Sequence, residues 1–498
     1  MLRNFLRISA MFVLTLLLIP SAFAQETHDV TITLSSLNDV QTKATLIAGK
    51  ISPAFPLAVQ MVTGQAAAFG IDADKTVAVY VDSAETGYGI TGFAPIKSQK
   101  MFDAQIANMK EAGQIGENLK FESKDGYAVI LSNSEWDAPL PKFSAPKAIN
   151  VKLAPSALVP LFTMLAAQQK ELDPAQIKKI EESCAQMASV DFSIDVSDAA
   201  DLEISFTAEP KPDTELAGNF ANCEKLSKTF LTSFHDPKAP VGGQILGTFD
   251  ENNRRDLVEA LTAKEEIPED FRNLILRALE VDKIDIAFSF YATEKGFNGL
   301  FAMGINNGEE INDAIMKAIK DDESGKGTAN VRKVKGMLGF HEIELDENAS
   351  FAVCIHSKYL FLAVSVNSES PVDLLLKAFK ERPLRKGTVT QNVTVHYAPS
   401  ILKFAMPTAD FDLLGQINYS GDYADGKFNG LVKVDGALFE TIGKIIAANQ
   451  TQNDDDVFGD DDDDDDDDGD DDDDGNDGDD DDDYDGDDDE VVAVPAEK

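Results

Sequence analysis

Apolar and polar residues alternate with period two where Val190, Phe192, Ile194 and Val196 interleave with Asp191, Ser193 and Asp195. Leu202, Ile204 and Phe206 then interleave with Glu203, Ser205 and Thr207. This pattern predicts a hairpin in a sheet with one buried face and one wet or lightly covered face. Ahead of it, 149–153 predicts a strand, Ala154-Pro155-Ser156 a turn, and apolar residues at helical spacing run to Met187. Behind it, Leu216, Phe220, Cys223, Leu226 and Phe230 recur at intervals of three and four, which predicts a helix with a buried stripe. Strand, helical pair, hairpin and closing helix make one module between Ile149 and Phe234.

The module recurs. Val151, Ala154, Pro155, Ser156 and Leu158 are echoed by Val395, Ala398, Pro399, Ser400 and Leu402. Upstream, Asp74-Lys75 is echoed by Asp282-Lys283, Asp103-Ala104 by Asp313-Ala314, and Asn133-Ser134-Glu135 by Asn367-Ser368-Glu369. The echoes are collinear, as expected of a duplicated domain with insertions in its second copy. Phe297-Asn298-Gly299-Leu300 and Phe428-Asn429-Gly430-Leu431 are identical tetrapeptides, each expected in the second strand of a hairpin. Hairpins alternating with helices predict an α+β fold: two tandem similar domains of largely antiparallel sheet with helices packed on one face. The expected boundaries are 25–235 and 241–449, joined near Asp236-Pro237-Lys238-Ala239-Pro240.

The ends of the chain read differently. Arg3 and Arg7, the apolar run Met11 to Ile19 and the small-residue site Ala22-Phe23-Ala24 predict a signal peptide over 1–24, hence export to a periplasm or the exterior. Gln25, not Cys, follows the expected cleavage site, so the lipoprotein box is missing, and no later stretch is apolar for long enough to span a bilayer. The formal charge is -44, and Asp454 to Glu490 carries 28 acids and no base, leaving -16 on the rest. Such a chain disfavours nucleic acid and anionic lipid as partners. The tail over 453–490 has almost nothing apolar to bury and is expected to be disordered, with 491–498 a short end.

Gly70-Ile71-Asp72-Ala73-Asp74-Lys75 before Val77-Ala78-Val79-Tyr80-Val81, then Gly92-Phe93-Ala94-Pro95-Ile96 and Gly126-Tyr127-Ala128-Val129-Ile130-Leu131-Ser132, carry a resemblance. Over most of its body the chain resembles exported proteins of unknown function common in planctomycete-type bacteria. The resemblance implies export and the duplicated architecture, and brings no catalytic residues or ligand with it. The acidic tail lies outside it.

Candidate chemistry is sparse. Gly87-Tyr88-Gly89-Ile90-Thr91-Gly92 matches a dinucleotide-binding glycine pattern, but Tyr88, Ile90 and Phe93 suit an extended strand where that pattern needs a strand-turn-helix. His28, His235, His341, His356 and His396 are scattered, and His341-Glu342 lacks the second histidine of a zinc-protease motif. Trp136 is expected to cover a domain edge. Of the three cysteines, Cys184 and Cys223 either bridge across one module or stay as buried thiols, and Cys354 is expected to pack in a strand. Asn348, Asn392, Asn418 and Asn449 fit the glycosylation pattern, which matters only in a glycosylating pathway. In the tail, Asp481, Asp483, Asp485 and Gly486 imitate the start of a calcium loop, with Val492 where its closing glutamate belongs.

These features favour an exported, non-enzymatic scaffold or binding protein whose polyanionic tail engages divalent cations, calcium among them, or a basic protein surface. One rival is a carrier or chaperone holding an apolar ligand between sheet and helices; another is an enzyme whose site the fold assembles. The tail is tested by calcium titration calorimetry at physiological salt on the mature protein and on a truncation ending at Gln452. Several weak sites in the full protein and none in the truncation are expected; equal behaviour would reduce the tail to a solubility device.

Overall fold

Alternation and turn chemistry set the strands. The computed structural model describes residues 28–455, apart from 57–68, 159–173, most of 249–276, 322–326, 382–386, 405–411 and some shorter stretches. The expected signal peptide and the Asp-rich tail lie outside the described residues. No helix among the described residues is long and apolar enough to cross a membrane.

The first half begins with Val30–Leu34 (β1) and the helix Leu37–Ile51 (α1), capped by Ser36, whose side chain accepts from the Asp39 N–H. Val77–Ala84 (β2), Gly87–Pro95 (β3) and the helix Gln99–Glu111 (α2) follow. Leu119–Lys124 (β4) and Tyr127–Ser132 (β5) form a hairpin, and Ile149–Leu153 (β6) comes next. The helix Pro174–Ala185 (α3), the strands Met187–Val196 (β7) and Leu202–Pro210 (β8), and the helix Glu215–Glu224 (α4) complete the half.

After the two-residue strand Lys228–Thr229 (β9) come Val241–Thr248 (β10), Lys283–Ala292 (β11), Phe297–Gly304 (β12) and the helix Gly308–Asp321 (α5). Gly327–Thr328 (β13), Gly339–Glu344 (β14), Ala349–His356 (β15) and Tyr359–Val366 (β16) precede the helix Pro371–Glu381 (α6). Gly387–Thr388 (β17), Val393–Tyr397 (β18), a short 3-10 helix at Pro399–Phe404, Ile417–Ala424 (β19), Lys427–Val434 (β20) and the helix Gly436–Asp455 (α7) end the described chain. Two-residue turns at Asp125-Gly126 and Asp425-Gly426 have positive φ at both residues, the twist that lets adjacent strands pair without splaying.

The result is a mixed α+β fold with one large sheet. Among the described residues eighteen strands join it, every pairing antiparallel, while β9 and β17 pair separately. Outward from the β8–β20 pairing, the strands run β7, β6, β1, β2, β3, β5 and β4 on one side. On the other they run β19, β18, β10, β11, β12, β16, β15, β14 and β13. Residues up to Ala447 form one compact unit, and Ala448 onward forms a second, of which the end of α7 is described.

Helices lie on both faces of the sheet and not on the single face expected, because the apolar front-face residues of β12, β15 and β16 also need cover; α2, α3, α4 and α5 cover the back face. Cys184 of α3 and Phe220 of α4 pack on Val30, Val151, Leu153 and Val190. Phe102 and Ile106 of α2 pack on Ala94 and Ala128, and Ile311 of α5 on Val353 and Ile355. The front face is covered at two places: Trp136, Leu140 and Phe143 lie over Tyr80, Phe93 and Val129, and α6 lies over Ala302, Ala352, Phe361 and Ala363.

The repeated tetrapeptide has a packing reason. Gly299 faces Phe290 and Gly430 faces Phe206 across neighbouring strands. A Cβ at Gly299 would sit 2.8 Å from the Phe290 ring, and one at Gly430 would collide with the Phe206 ring. Each ring therefore lies on a glycine. Gly430→Ala is expected to lower stability by about 1–3 kcal/mol through overpacking, and adding Phe206→Leu is expected to recover part of the loss. Thermal unfolding of the two single variants and the double variant checks this; additive losses would remove the contact from the account.

Candidate functional site

Between its two covered regions the front face carries polar side chains, the wet half of the alternation. Register aligns them in rows across the strands. In one row Thr31 pairs with Lys152, Lys152 with Asp191, Asp191 with Thr207 and Thr207 with Asn429. In the next, Thr33, Asn150, Ser193 and Ser205 are successive partners. A third row joins Asp195, Glu203 and Lys433. The first two rows line an open groove of about 320 Å³.

The rows differ in electrostatics. The third is neutralised within the protein: Lys43 reaches Asp195 at 2.6 Å, Lys147 reaches it at 3.3 Å, and Lys433 reaches Glu203 at 2.6 Å. Burial opposes ionisation of Asp195, but the hydrogen bonds from Lys43 and Lys147 outweigh it and hold the carboxyl below its ordinary value. In the second row Ser193 and Ser205 bond each other at 2.6 Å. In the first, Thr207 donates to Asn429 Oδ1 at 3.1 Å. Asp191 has no hydrogen-bond donor among the described residues. Burial pushes its carboxyl up, Glu209 adds to the shift, and Lys152 and Lys427 pull against it. Lys152 itself is exposed. A half-buried carboxylate and an ammonium on adjacent strands, flanked by hydroxyls, are left to bond water or a ligand.

The residues singled out from the sequence take structural positions. Asp481, Asp483 and Asp485 lie outside the described residues. The bridge between Cys184 and Cys223 is not formed: both are free, buried thiols, as is Cys354. Cys223 Sγ lies 3.2 Å from Thr248 Oγ1 on β10, and Cys184 packs in the apolar cluster beneath β6. Burial pushes the Cys354 thiol up to about 12. The glycine pattern from Gly87 to Gly92 lies within the hairpin strand β3, the extended setting expected of it.

Trp136 covers the sheet, packing edge-on against Phe93 with ring centres 5.0 Å apart. Its Nε1 is buried without a hydrogen-bond partner among the described residues. His28 stacks on Tyr80 at 3.9 Å, and its Nδ1 lies 2.8 Å from Asp82 Oδ2. His396 Nε2 donates to the Ala239 carbonyl at 2.8 Å, leaving Nδ1 to accept from His235 Nε2 at 3.2 Å. His341 is fully buried in β14, with Nδ1 accepting the Asn330 N–H and Nε2 3.0 Å from Asn312 Oδ1. No group of three or more metal-ligating side chains is assembled among the described residues.

The groove residues were visible in the sequence only as the polar half of an alternation. Asp191, Ser193, Ser205 and Thr207 could be assigned to the wet face, but their meeting with Lys152 depends on the β6–β7 pairing across the intervening helix, and with Thr31 on a β1–β6 pairing over more than a hundred residues. Comparisons of the chain with protein families, with curated proteins and with solved structures returned no match.

His341 yields a pH dependence. Burial holds its imidazole below the ordinary value of 6.5, so the folded state refuses a proton that the unfolded chain accepts. Its contribution to stability is present above that value and is lost as pH falls through the folded pKa. Stability measured by denaturant unfolding is expected to decline from pH 7 to 5.5. In His341→Gln the slope should flatten by up to about 1.4 kcal/mol per pH unit, the limit for one proton; an unchanged slope would remove His341 as a source.

Proposed function

We propose that the protein is an exported, non-catalytic binding protein whose front-face groove takes a polar ligand. Its Asp-rich tail engages divalent cations, calcium among them, or a basic protein surface. The observation that carries this reading is the contrast between rows: Asp195 and Glu203 are neutralised internally, while Asp191 and Lys152 lack hydrogen-bond partners among the described residues. Binding is favoured over catalysis because Ser193 and Ser205 bond each other, whereas an activated nucleophile is bonded to a base. A polar ligand is favoured over an apolar one because the side chains that the register turns to the front face are hydroxyls, an amide, Lys152 and Asp191, while Val151, Phe192 and Phe206, which also line the groove, belong to the opposite face. On the back face Val151, Leu153, Val190, Cys184 and Phe220 belong to one buried apolar cluster.

The same proposal includes export to a periplasm or the exterior, kinship with planctomycete-type exported proteins, and origin of the body by duplication of 25–235 into 241–449. Duplication is supported by the strand order, which repeats outward from β8 and from β20. It is supported too by a shared detail: Ala154 N–H donates to Asp29 O at 2.9 Å and Ala398 N–H to Pro240 O at 2.6 Å.

The groove is tested by thermal unfolding of the mature protein with neutral sugars, short peptides and small carboxylates in turn, beside Ser205→Trp, whose indole would fill the groove. At least one class is expected to raise the midpoint of the parent protein and to leave a cooperatively folding Ser205→Trp protein unmoved. No shift with any class, or shifts that survive in the variant, would overturn the reading.

A further inference from the structure

The chemistry of the groove narrows its ligand. We propose that it binds a neutral saccharide chain lying across the strands from β1 towards β20, an inference that rests on the binding-protein reading above.

Balance between donors and acceptors is the first argument. Thr31, Thr33, Ser193, Ser205 and Thr207 present hydroxyls; Thr207 gives its proton to Asn429 and is left to accept, Ser193 and Ser205 bond each other and keep one proton between them, and Thr31 and Thr33 can donate and accept. A sugar hydroxyl has the same dual character, so either partner can supply the proton. A phosphate or carboxylate ligand offers acceptors only and would leave the accepting oxygens of these hydroxyls, Thr207 above all, unused. It would also meet Asp191, whose charge repels an anion.

Charge is the second. Lys152 and Asp191 are cross-strand partners of opposite sign, so the groove presents no net charge to select an ion. A carboxylate with no hydrogen-bond donor can accept from two neighbouring hydroxyls of one ring, and charge-assisted bonds of this kind are the strong ones. Lys152 can donate to a hydroxyl or ring oxygen on the same ligand. Because Asp191 is half buried, an unpaired carboxylate there is costly, and a diol relieves that cost without bringing in a second charge.

Spacing and shape are the third. One polar side chain per strand recurs across β1, β6, β7 and β8, at the inter-strand interval of about 4.8 Å, which is comparable to the length of one sugar ring. The volume of about 320 Å³ lies at the small end of ligand sites and suits one or two rings, with the rest of a chain outside. One strand beyond Thr31 stands Tyr80, its register partner on β2. His28 stacks on that ring and keeps 31% of its side chain exposed. A flat ring at the end of a polar row gives the apolar C–H face of a sugar a surface to rest on.

A zwitterionic peptide could also address Lys152 and Asp191, and the test separates it. Calorimetry would be run on the mature protein with cellohexaose, laminarihexaose, maltohexaose and mannohexaose, and with trialanine and citrate. Parallel titrations would use Asp191→Asn, Lys152→Gln and Ser205→Trp, each checked for cooperative unfolding. The expected result is binding of at least one hexasaccharide, weakened about tenfold or more by Asp191→Asn and abolished by Ser205→Trp. Lack of binding by every hexasaccharide, or binding indifferent to both Asp191→Asn and Ser205→Trp, overturns the saccharide. If trialanine or citrate then binds and Ser205→Trp abolishes it, the binding-protein reading stands while the saccharide falls. If no probe shows loss in Ser205→Trp, both fall together.

Discussion

The β8–β20 pairing is the constraint on which the rest of the sheet depends. Seven residue pairs, from Ala208 with Phe428 to Leu202 with Val434, join segments more than two hundred residues apart. Without that seam each half would present an edge strand with unpaired N–H and C=O groups, a template for association with other chains. The seam is secured by side chains as well as by backbone. Phe206 lies on Gly430, Thr207 donates to Asn429, and Glu203 pairs with Lys433. A ring on the back face, a hydrogen bond and an ion pair on the front face all demand the same register. A slip by one residue would break them together and turn the hydrophobic set to the wrong side.

That register is also what builds the groove. Apolar residues of β6, β7 and β8 are committed to the back face by Cys184, Phe220 and their neighbours. The polar residues are then forced to the front, in rows whose order is fixed by pairing rather than by sequence proximity. Trp136, Leu140 and Phe143 close the front face on one side and α6 on the other, so the accessible polar surface is confined to the strands around the seam. Side chains held on neighbouring strands need little further ordering to meet a ligand, which lowers the entropic cost of binding.

How far the sequence reveals this follows from which interactions are local. The β7–β8 hairpin was legible because Val190 to Val196 and Leu202 to Thr207 alternate without interruption. The α4 stripe was legible only in part: Phe220 and Cys223 recur at helical spacing and are buried, but the helix ends at Glu224, Leu226 lies past it and the chain turns into the strand Lys228–Thr229, where pairing with β17 overrides the helical spacing. The identical tetrapeptides fall in second strands of hairpins as expected, β12 and β20. Their glycines were not explained by turns; Phe290 and Phe206 on neighbouring strands explain them. The fusion of both halves into one sheet could not be read, because no local signal records which edge strand meets which. The same limit hid the groove: the polarity of Asp191 and Thr31 is plain, but not their place in one row.

The two sides of the seam differ in a way that bears on the groove. Under the proposed duplication, carrying the strand registers across from the Val151/Val395 match makes Ser205 and Leu431 counterparts, and these two residues face each other in the seam. An approximate two-fold axis would then pass between them. It would take Thr31, Lys152 and Asp191 to Gly242, His396 and Asn418, which are likewise neighbours across β10, β18 and β19. There the chemistry is spent internally. His396 is buried, bonded to the Ala239 carbonyl and to His235, and a Cβ at Gly242 would sit 2.7 Å from its ring. Asn418 replaces the carboxylate and no lysine stands in the row's middle. A face that were polar only for solubility would have no reason to carry charges in one half and a buried, internally bonded histidine at the equivalent place in the other. The asymmetry therefore weighs toward a site on the first half, with the second half supplying the seam that holds its strands in line.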